Sequence, residues 1–375
     1  MGAAMNRRSF LASCAAALPA LNAAGTEAPS RLRAGINLGT WISQYQHQKT
    51  PNFDTRVQER DLDQIASWGM DHVRLPIDYD FFEDDANPGV YREERLAYAD
   101  RTIQWAKKNG LALILDLHRA PGYFFGDLGK NRLFTEAAMQ DRYLAIWRMF
   151  AKRYRAEGDT LVFELLNEVV EATPDQWNGL VRRAVNEIRG VDPNRWIIVG
   201  GIHYNAIEAL DKIAVLDAPR IIYTFHYYHP MLITHQKAGW VKQSMDYDKF
   251  TGGQRIDSPG TIPKLAEFVE AYPNEKNLRS QVGVRYDLDW MRKDMQPAAD
   301  FVKATGKPLY CGEYGVIRHA SIETRRRWHE DVSSICRELG VGRAAWSYKD
   351  GSFLFVDADT SKPVDMDLVR IASRK

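Results

Sequence analysis

The chain has 375 residues, of which 45% are hydrophobic and 26% are charged, proportions that are ordinary for a large globular protein. The formal net charge of +1 gives no electrostatic basis for binding nucleic acid. We see no Gly-rich phosphate loop and no cluster of Cys or His at metal-ligand spacing, so we expect neither a cofactor nor a metal.

The N-terminus has the form of an export signal. Asn6-Arg-Arg-Ser-Phe-Leu11 is followed by an Ala-rich apolar run that reaches Ala24 and is too short to span a membrane as a helix. The pair Arg7-Arg8 resembles a twin-arginine signal, which predicts export by the twin-arginine machinery of a bacterium. We therefore expect residues 1–24 to be removed, and the protein to be secreted or periplasmic.

Short apolar runs alternate with segments of helical periodicity from residue 32 onward. Eight of the runs have the length of buried strands, and they lie at 34–39, 72–76, 111–117, 161–165, 195–199, 220–225, 309–312 and 344–347. The helical segments lie between and after them, at 58–68, 92–109, 136–154, 173–189, 205–213, 288–305 and 322–339, with a last helix expected in the tail.

Alternating strands and helices predict a parallel sheet, and eight such units in one chain predict a closed (β/α)8 barrel, the TIM barrel. A doubly wound open sheet is the alternative, but the Gly-rich dinucleotide turn after the first strand is missing. We predict a single domain over 32–375. Residues 227–287 are polar, rich in Gly and Pro and without clear periodicity, which predicts a long loop insertion after strand six, either functional or decorative.

Polar and aromatic residues recur where the predicted strands end. In a parallel barrel these ends meet at one mouth, so we expect the residues to form a single site. They are Arg74, His118, Asn167, Glu168, His226, Tyr228, Glu313 and Trp346. Two carboxylates that face each other across such a mouth are what cleavage of a glycosidic bond requires. By strand alternation Glu164 faces the same way as Glu168 but deeper, where it needs a partner, and Arg74 is the candidate.

These residues stand in short motifs whose order resembles glycoside hydrolase family 5, the large family of retaining β-glycanases, over the whole mature chain. The motifs are Val73-Arg-Leu-Pro, Asp116-Leu-His118, Asn167-Glu168, His226-Tyr-Tyr228, Gly312-Glu-Tyr-Gly and Ala345-Trp346. The chain departs from the family pattern in two places. Val169 stands where Pro often follows the Asn-Glu pair, and Tyr204 stands where Trp often precedes Asn, which blurs the subfamily and the substrate.

The resemblance implies a role for each residue. Glu313 would be the nucleophile and Glu168 the general acid and then the base. The remaining residues would bind the substrate or orient the glutamates: Arg74 and Tyr228 beside Glu313, Asn167 on the sugar 2-hydroxyl, His118 and His226 as neutral hydrogen-bond partners, and Trp346 as a flat face for the sugar. Arg74 could instead form a purely structural ion pair, and either histidine could belong to the core.

We predict that the substrate is a β-linked glucan and that the enzyme cuts within the chain, as a cellulase does. We expect the protein to be a monomer. Within the same chemistry, an exo-acting β-glucanase or β-glucosidase is the alternative, since His118-Arg-Ala-Pro-Gly122 resembles a loop of members that act on β-1,3-glucan. A mannanase also remains an alternative. The presence of both glutamates argues against a non-catalytic carbohydrate-binding barrel, and the absence of a His-x-His pair on strand one argues against a metal-dependent hydrolase. The candidates for outer subsites are loop aromatics, each of which could equally be a residue that packs within its loop: Trp41, Tyr123, Phe124, Phe125 and Trp240.

The sequence contains three cysteines. Cys14 would leave with the signal. Strand alternation predicts that Cys311 points into the barrel with Glu313, whereas Cys336 lies in a helix outside it. We therefore expect no disulfide between them.

Overall fold

The computed structural model describes residues 31–48, 51–274 and 276–375. The predicted export signal, with Arg7, Arg8 and Cys14, lies outside these residues. Eight parallel strands close into a barrel, because β8 pairs with β1. The strands are β1 Ala34–Asn37, β2 His72–Asp78, β3 Ala112–Arg119, β4 Leu161–Glu164, β5 Trp196–Gly200, β6 Ile221–Tyr227, β7 Leu309–Tyr314 and β8 Gly342–Ala345. The predicted (β/α)8 barrel is confirmed.

Helices surround the barrel in the order that the sequence predicts. The longer ones are Glu59–Ser67, Glu93–Lys108, Ala137–Arg153, Pro174–Val191, Gln296–Thr305, Ile322–Glu338 and the terminal Met366–Ser373. The shorter α-helices are Phe53–Arg56, Tyr79–Phe82 and Leu288–Asp294, and the 3-10 helices are Tyr45–His47, Arg155–Thr160 and Ile207–Lys212. Among the described residues, none of the helices combines the length and the apolar character needed to cross a membrane.

Two predicted helices differ from the structure. The segment 288–305 is two helices that meet at Met295, because Pro297 in the first turn of the second helix cannot continue the first one. The segment 205–213 forms only the 3-10 helix Ile207–Lys212. The structure also has an antiparallel pair that we did not predict, Glu83–Asp84 with Asn87–Tyr91.

The insertion after β6 has more regular structure than its polar sequence indicates. It contains the helices Met231–Thr234, Lys242–Thr251, Leu265–Ala271 and Lys276–Arg279, and the strand pair Gly260–Thr261 with Arg285–Tyr286. Its apolar side chains, which include Tyr247, Leu265, Phe268 and Tyr286, form a small core of their own. The sequence does not reveal this core, because the helices are too short to show a helical period of apolar residues.

The barrel interior changes from apolar at the bottom to polar at the mouth. Ile114, Val162, Ile198 and Ile222 fill the bottom together with neighbouring apolar side chains. Tyr310 belongs to this apolar cluster, and its hydroxyl lies 2.6 Å from the His72 Nε2 atom. The next inward residue on β2 is Arg74, where the polar site begins.

Cys311 does not point into the barrel, so that prediction was wrong. The pairing register of β7 shifts between Cys311 and Glu313 against both neighbouring strands. This irregularity breaks the alternation, so that Cys311 packs with Cys336 and Val332 in the layer between barrel and helices while Glu313 faces inward. Both described cysteines are free, as expected.

Candidate active site

Arg74 lies at the base of the site and is completely buried. It is the third residue of β2, so it sits below the mouth rather than at the end of the strand, where the sequence placed it. Its Nε donates to Glu164 at 2.7 Å, and its Nη1 donates to Glu313 Oε1 at 2.8 Å. The expectation that Arg74 is shared between Glu164 and Glu313 is confirmed.

Arg74 also orients two amides. Its Nη1 lies 3.0 Å from Asn37 Oδ1, and its Nη2 lies 2.9 Å from Asn167 Oδ1. A guanidinium only donates, so both amide oxygens face it, and the Nδ2 of Asn167 is left as a donor for a substrate hydroxyl. Asn37 is not among the residues selected from the sequence, although it is the polar residue at the end of β1 and the strand-end rule points to it.

Glu313 is held by donors on both carboxylate oxygens. Oε1 accepts from Arg74, and Oε2 accepts from the Tyr228 hydroxyl at 2.9 Å. Burial raises the pKa of Glu313, but the Arg74 charge and the Tyr228 hydrogen bond act in the opposite direction. These partners favour the ionised form of Glu313.

Glu168 has a different environment. It lies four residues beyond β4, and its Oε1 is 2.9 Å from His226 Nδ1. Burial and the negative charge of Glu313 raise the pKa of Glu168 well above its usual range. One oxygen of each glutamate and a nitrogen of His226 lie within 4.8 Å of one another. Two carboxyls this close do not both ionise readily, and of the two Glu168 binds a proton more tightly.

The two histidines of the site are neutral. Burial lowers the pKa of His118 to about 3 and that of His226 well below its usual range. The Nδ1 of His118 lies 2.7 Å from Asp116, so this nitrogen carries the proton and Nε2 is an acceptor. Within the described part of the chain, no protein group satisfies the buried Nε2 of His118 or of His226.

Trp346 lies at the mouth beside His118. The two rings are parallel within 8°, with centroids 5.7 Å apart, and the Phe125 ring meets His118 edge-on at 5.7 Å. All eight residues that the sequence selected therefore converge on one site, with Arg74 at its base. Their roles in a reaction remain predictions.

The loop aromatics do not all face the site. Trp41 and Tyr123 are 1% and 3% exposed and belong to the core, so their prediction as sugar platforms was wrong. Phe125 borders His118, with Phe124 packed on it at 4.6 Å between centroids. Trp240, 61% exposed, lies 6.5 Å from Phe353, which packs with Trp346.

A second group of ligating side chains lies outside the barrel mouth. Glu208, His229 and Asp294 bring one ligand atom each within 4.8 Å of one another. His229 Nδ1 is 2.9 Å from Asp294, and hydrogen bonding to that carboxylate raises the pKa of His229 against the effect of burial. This ion cluster ties the start of the insertion, at His229, to the helix Leu288–Asp294 that follows it.

Comparison with known proteins identifies the family. The family model described as cellulase (glycosyl hydrolase family 5) matches residues 37–352, which include every residue of the site. The chain belongs to glycoside hydrolase family 5. Family membership makes the protein a glycosidase, and the eight converging residues are its candidate active site.

Relatives within glycoside hydrolase family 5 match nearly the whole chain. Endoglucanase C of Acetivibrio thermocellus is 43% identical over 343 residues, which are 92% of this chain and 98% of the relative. Cellodextrinase A of Ruminococcus flavefaciens is 33% identical over 350 residues, or 91% and 93% of the two chains. Endoglucanase Cel5A of Thermotoga maritima has a similar crystal structure, with a TM-score of 0.72, 25% identity and coverage of 91% and 97%.

Proposed function

We propose that the protein is an endo-acting β-1,4-glucanase that hydrolyses its substrate with retention of configuration. The observation that carries this proposal is the pair Glu168 and Glu313, which lie close together and differ in their partners. Burial raises the pKa of both, but Arg74 and the Tyr228 hydroxyl counteract this at Glu313, whereas the charge of Glu313 adds to it at Glu168. The names of the relatives, endoglucanase and cellodextrinase, support a β-1,4-glucan as the substrate.

In the first step, Glu313 attacks the anomeric carbon and forms a covalent glycosyl-enzyme. Glu168 donates its proton to the glycosidic oxygen as the bond to the leaving sugar breaks. Arg74 and Tyr228 keep Glu313 ionised and oriented. The free Nδ2 of Asn167 donates to the sugar 2-hydroxyl, an interaction that strengthens in the oxocarbenium-like transition state.

In the second step, a water attacks the same carbon and releases Glu313. Once Glu313 is esterified, it no longer carries the charge that raised the pKa of Glu168. The pKa of Glu168 therefore falls, and the carboxylate left by the first step can take a proton from the water. After the step Glu168 is protonated and Glu313 is ionised again, so the cycle closes without any other proton donor.

The separation of the glutamates supports retention. Retaining enzymes have carboxyl groups about 5–5.5 Å apart, whereas inverting enzymes need about 6.5–9.5 Å to admit a water between them. Oxygens of Glu168 and Glu313 lie within 4.8 Å of each other. Proton NMR of the first-formed product tests this directly: we expect the β-anomer, and initial formation of the α-anomer would refute the mechanism.

The two glutamates are distinguished by their dependence on the leaving group. A dinitrophenolate leaves without protonation, so Glu168→Ala should still form the glycosyl-enzyme from dinitrophenyl β-cellobioside and then accumulate it. On a natural oligosaccharide the same variant should lose the general acid contribution of about 10²–10⁴-fold. Glu313→Ala should fail on both substrates. A burst from Glu313→Ala and none from Glu168→Ala would reverse the assignment.

The substrate and the mode of cleavage need a separate test. We expect carboxymethyl cellulose to lose viscosity faster than it gains reducing ends, because an endo-acting enzyme cuts within the chain. The same assay should be run on β-1,3-glucan, the substrate of the alternative stated above, and on mannan. Mannan is included because Thermotoga maritima Cel5A was crystallised in complex with mannotriose. Release of only one short product from cellulose would favour the exo-acting alternative. We also propose export by the twin-arginine route, which Arg7-Arg8 and the following apolar run support.

A further inference from the structure

The hydroxyl of Tyr123 bonds the backbone on both sides of Val169. It donates to the carbonyl oxygen of Glu168 and accepts from the Val170 amide at 2.8 Å. The residue is 3% exposed, and its ring packs edge-on against Phe134 with centroids 5.3 Å apart. Tyr123 therefore cannot reach a sugar, but it touches the peptide that carries Glu168.

This peptide lies beyond the regular part of β4, which ends at Glu164. The Asn167 amide still bonds the Leu117 carbonyl of β3 at 3.1 Å, and Val169 forms an isolated parallel bridge with Ile202, its carbonyl accepting from the Tyr204 amide at 3.1 Å. Between these two contacts, the carbonyl of Glu168 accepts from the Tyr123 hydroxyl. The chain has Val at 169, so no proline ring fixes φ there, and hydrogen bonds must hold the backbone.

The position of the Tyr123 hydroxyl is itself well defined. Ala120 and Tyr123 exchange backbone hydrogen bonds of 2.9 and 3.2 Å across Pro121 and Gly122. Gly122 has a φ of +68°, and Pro followed by a residue with positive φ is the signature of a type II turn. The Gly122 carbonyl also accepts from the Arg132 amide at 2.8 Å, which closes the loop.

We propose that Tyr123 is a positioning residue for the two proton transfers of Glu168, a proposal that rests on the proposed role of Glu168 as acid and base. Without the hydroxyl, the Glu168 carbonyl and the Val170 amide lose a shared partner. The contacts of Val169 with Ile202 and Tyr204 remain, but the carbonyl of Glu168 itself is then held less firmly. A shift of about 1 Å in a reacting group costs on the order of 10²-fold in rate. The attack by Glu313 comes from β7 and does not use this peptide.

The test is Tyr123→Phe, which removes the hydroxyl and keeps the ring against Phe134. Tyr143→Phe is the matched control, because Tyr143 is equally buried and donates to the Leu165 carbonyl of the same segment at 3.1 Å. That carbonyl keeps the Trp147 Nε1 as a second donor at 3.2 Å. Each variant is assayed with dinitrophenyl β-cellobioside, for the burst rate, and with cellotetraose, for kcat.

We expect Tyr123→Phe to lose about 10- to 100-fold in kcat on cellotetraose and to retain the wild-type burst rate on the dinitrophenyl substrate. If the variant were instead partly unfolded, the fraction of active enzyme would be smaller. The burst amplitude on the dinitrophenyl substrate and the kcat on cellotetraose would then fall by the same factor. Such a common factor, an unchanged kcat, or the same selective loss in Tyr143→Phe would overturn the proposal. Glu168→Ala runs in parallel: if it also turns over cellotetraose normally, the proposed function of Glu168 fails instead.

Discussion

Tyr228→Phe is expected to shift the acid limb of the pH–rate profile. The hydroxyl of Tyr228 donates to Glu313 Oε2 at 2.9 Å, and the residue lies deep enough that burial raises its own pKa well above its usual range. It is therefore a neutral donor at any assay pH. A hydrogen bond to the ionised form stabilises that form, so this contact lowers the pKa of Glu313 and its removal raises it.

The size of the shift follows from the energy of the contact. A hydrogen bond to a charged group contributes about 1.5–3 kcal/mol, and one pKa unit corresponds to about 1.36 kcal/mol. We therefore expect the pKa that governs the acid limb of kcat/KM to rise by about 1–2 units. Because that pKa moves toward the one of Glu168, the profile should also become narrower and its maximum lower.

The assay is the pH dependence of kcat/KM for an aryl β-cellobioside, which reports the free enzyme. Tyr227→Phe is the matched control, since the neighbouring hydroxyl donates to Asp294 at 2.8 Å on the opposite face of β6. An acid limb that stays in place or moves to lower pH would refute the argument. So would an equal shift in Tyr227→Phe, because that hydroxyl does not touch either glutamate.

Three further predictions concern stability and export. Arg74→Met leaves Asp116, Glu164 and Glu313 without their shared cation, and we expect urea unfolding to show a loss of about 3–5 kcal/mol; the loss should be smaller at pH 5 than at pH 8, because the carboxyls can then take up protons. Burial raises the pKa of Asp78 from 3.8 to about 7, so its contribution to stability is present below pH 4 and is lost as the pH rises toward 7. Asp78→Asn should therefore match the wild type near pH 4 and exceed it at pH 8 by up to about 4 kcal/mol, and equal stabilities at pH 8 in urea titrations would contradict this. Replacement of Arg7 and Arg8 by Lys should leave the precursor in the cytoplasm of an expressing bacterium, as seen by fractionation, whereas normal export would indicate the general secretory route.

The sequence predicts the barrel well because each strand is short, apolar and separated from the next by a clear helical period. The same regularity explains why the strand-end residues converge: parallel strands expose their carboxyl ends at one edge. The depth of a residue is harder to predict. Arg74 was placed at the mouth, but β2 runs on to Asp78, and Arg74 lies further down the barrel.

Irregular backbone accounts for the other errors. The register shift of β7 reverses the side on which Cys311 lies, and the only sign of it in the sequence is Gly312. A side chain at Gly312 would place its Cβ 3.0 Å from Thr224 Oγ1 and 3.2 Å from His226 Nε2, so these side chains of β6 would have to move to admit it. Tyr123 was a candidate sugar platform because the sequence does not show whether an aromatic side chain in a loop points to solvent or into the core.

The charges of the site explain why Glu168 binds a proton more tightly than Glu313. Four carboxyls, those of Asp116, Glu164, Glu168 and Glu313, lie around the buried guanidinium of Arg74, and both histidines are neutral. One positive charge cannot stabilise four negative ones in a poorly solvated interior, so at least part of the cluster stays protonated. Arg74 contacts each of the other three carboxyls within 3.0 Å. Glu168 has no contact with it and is the group on which the proton is most stable. The arrangement that makes the cluster costly to bury is therefore also the one that prepares Glu168 to act as an acid.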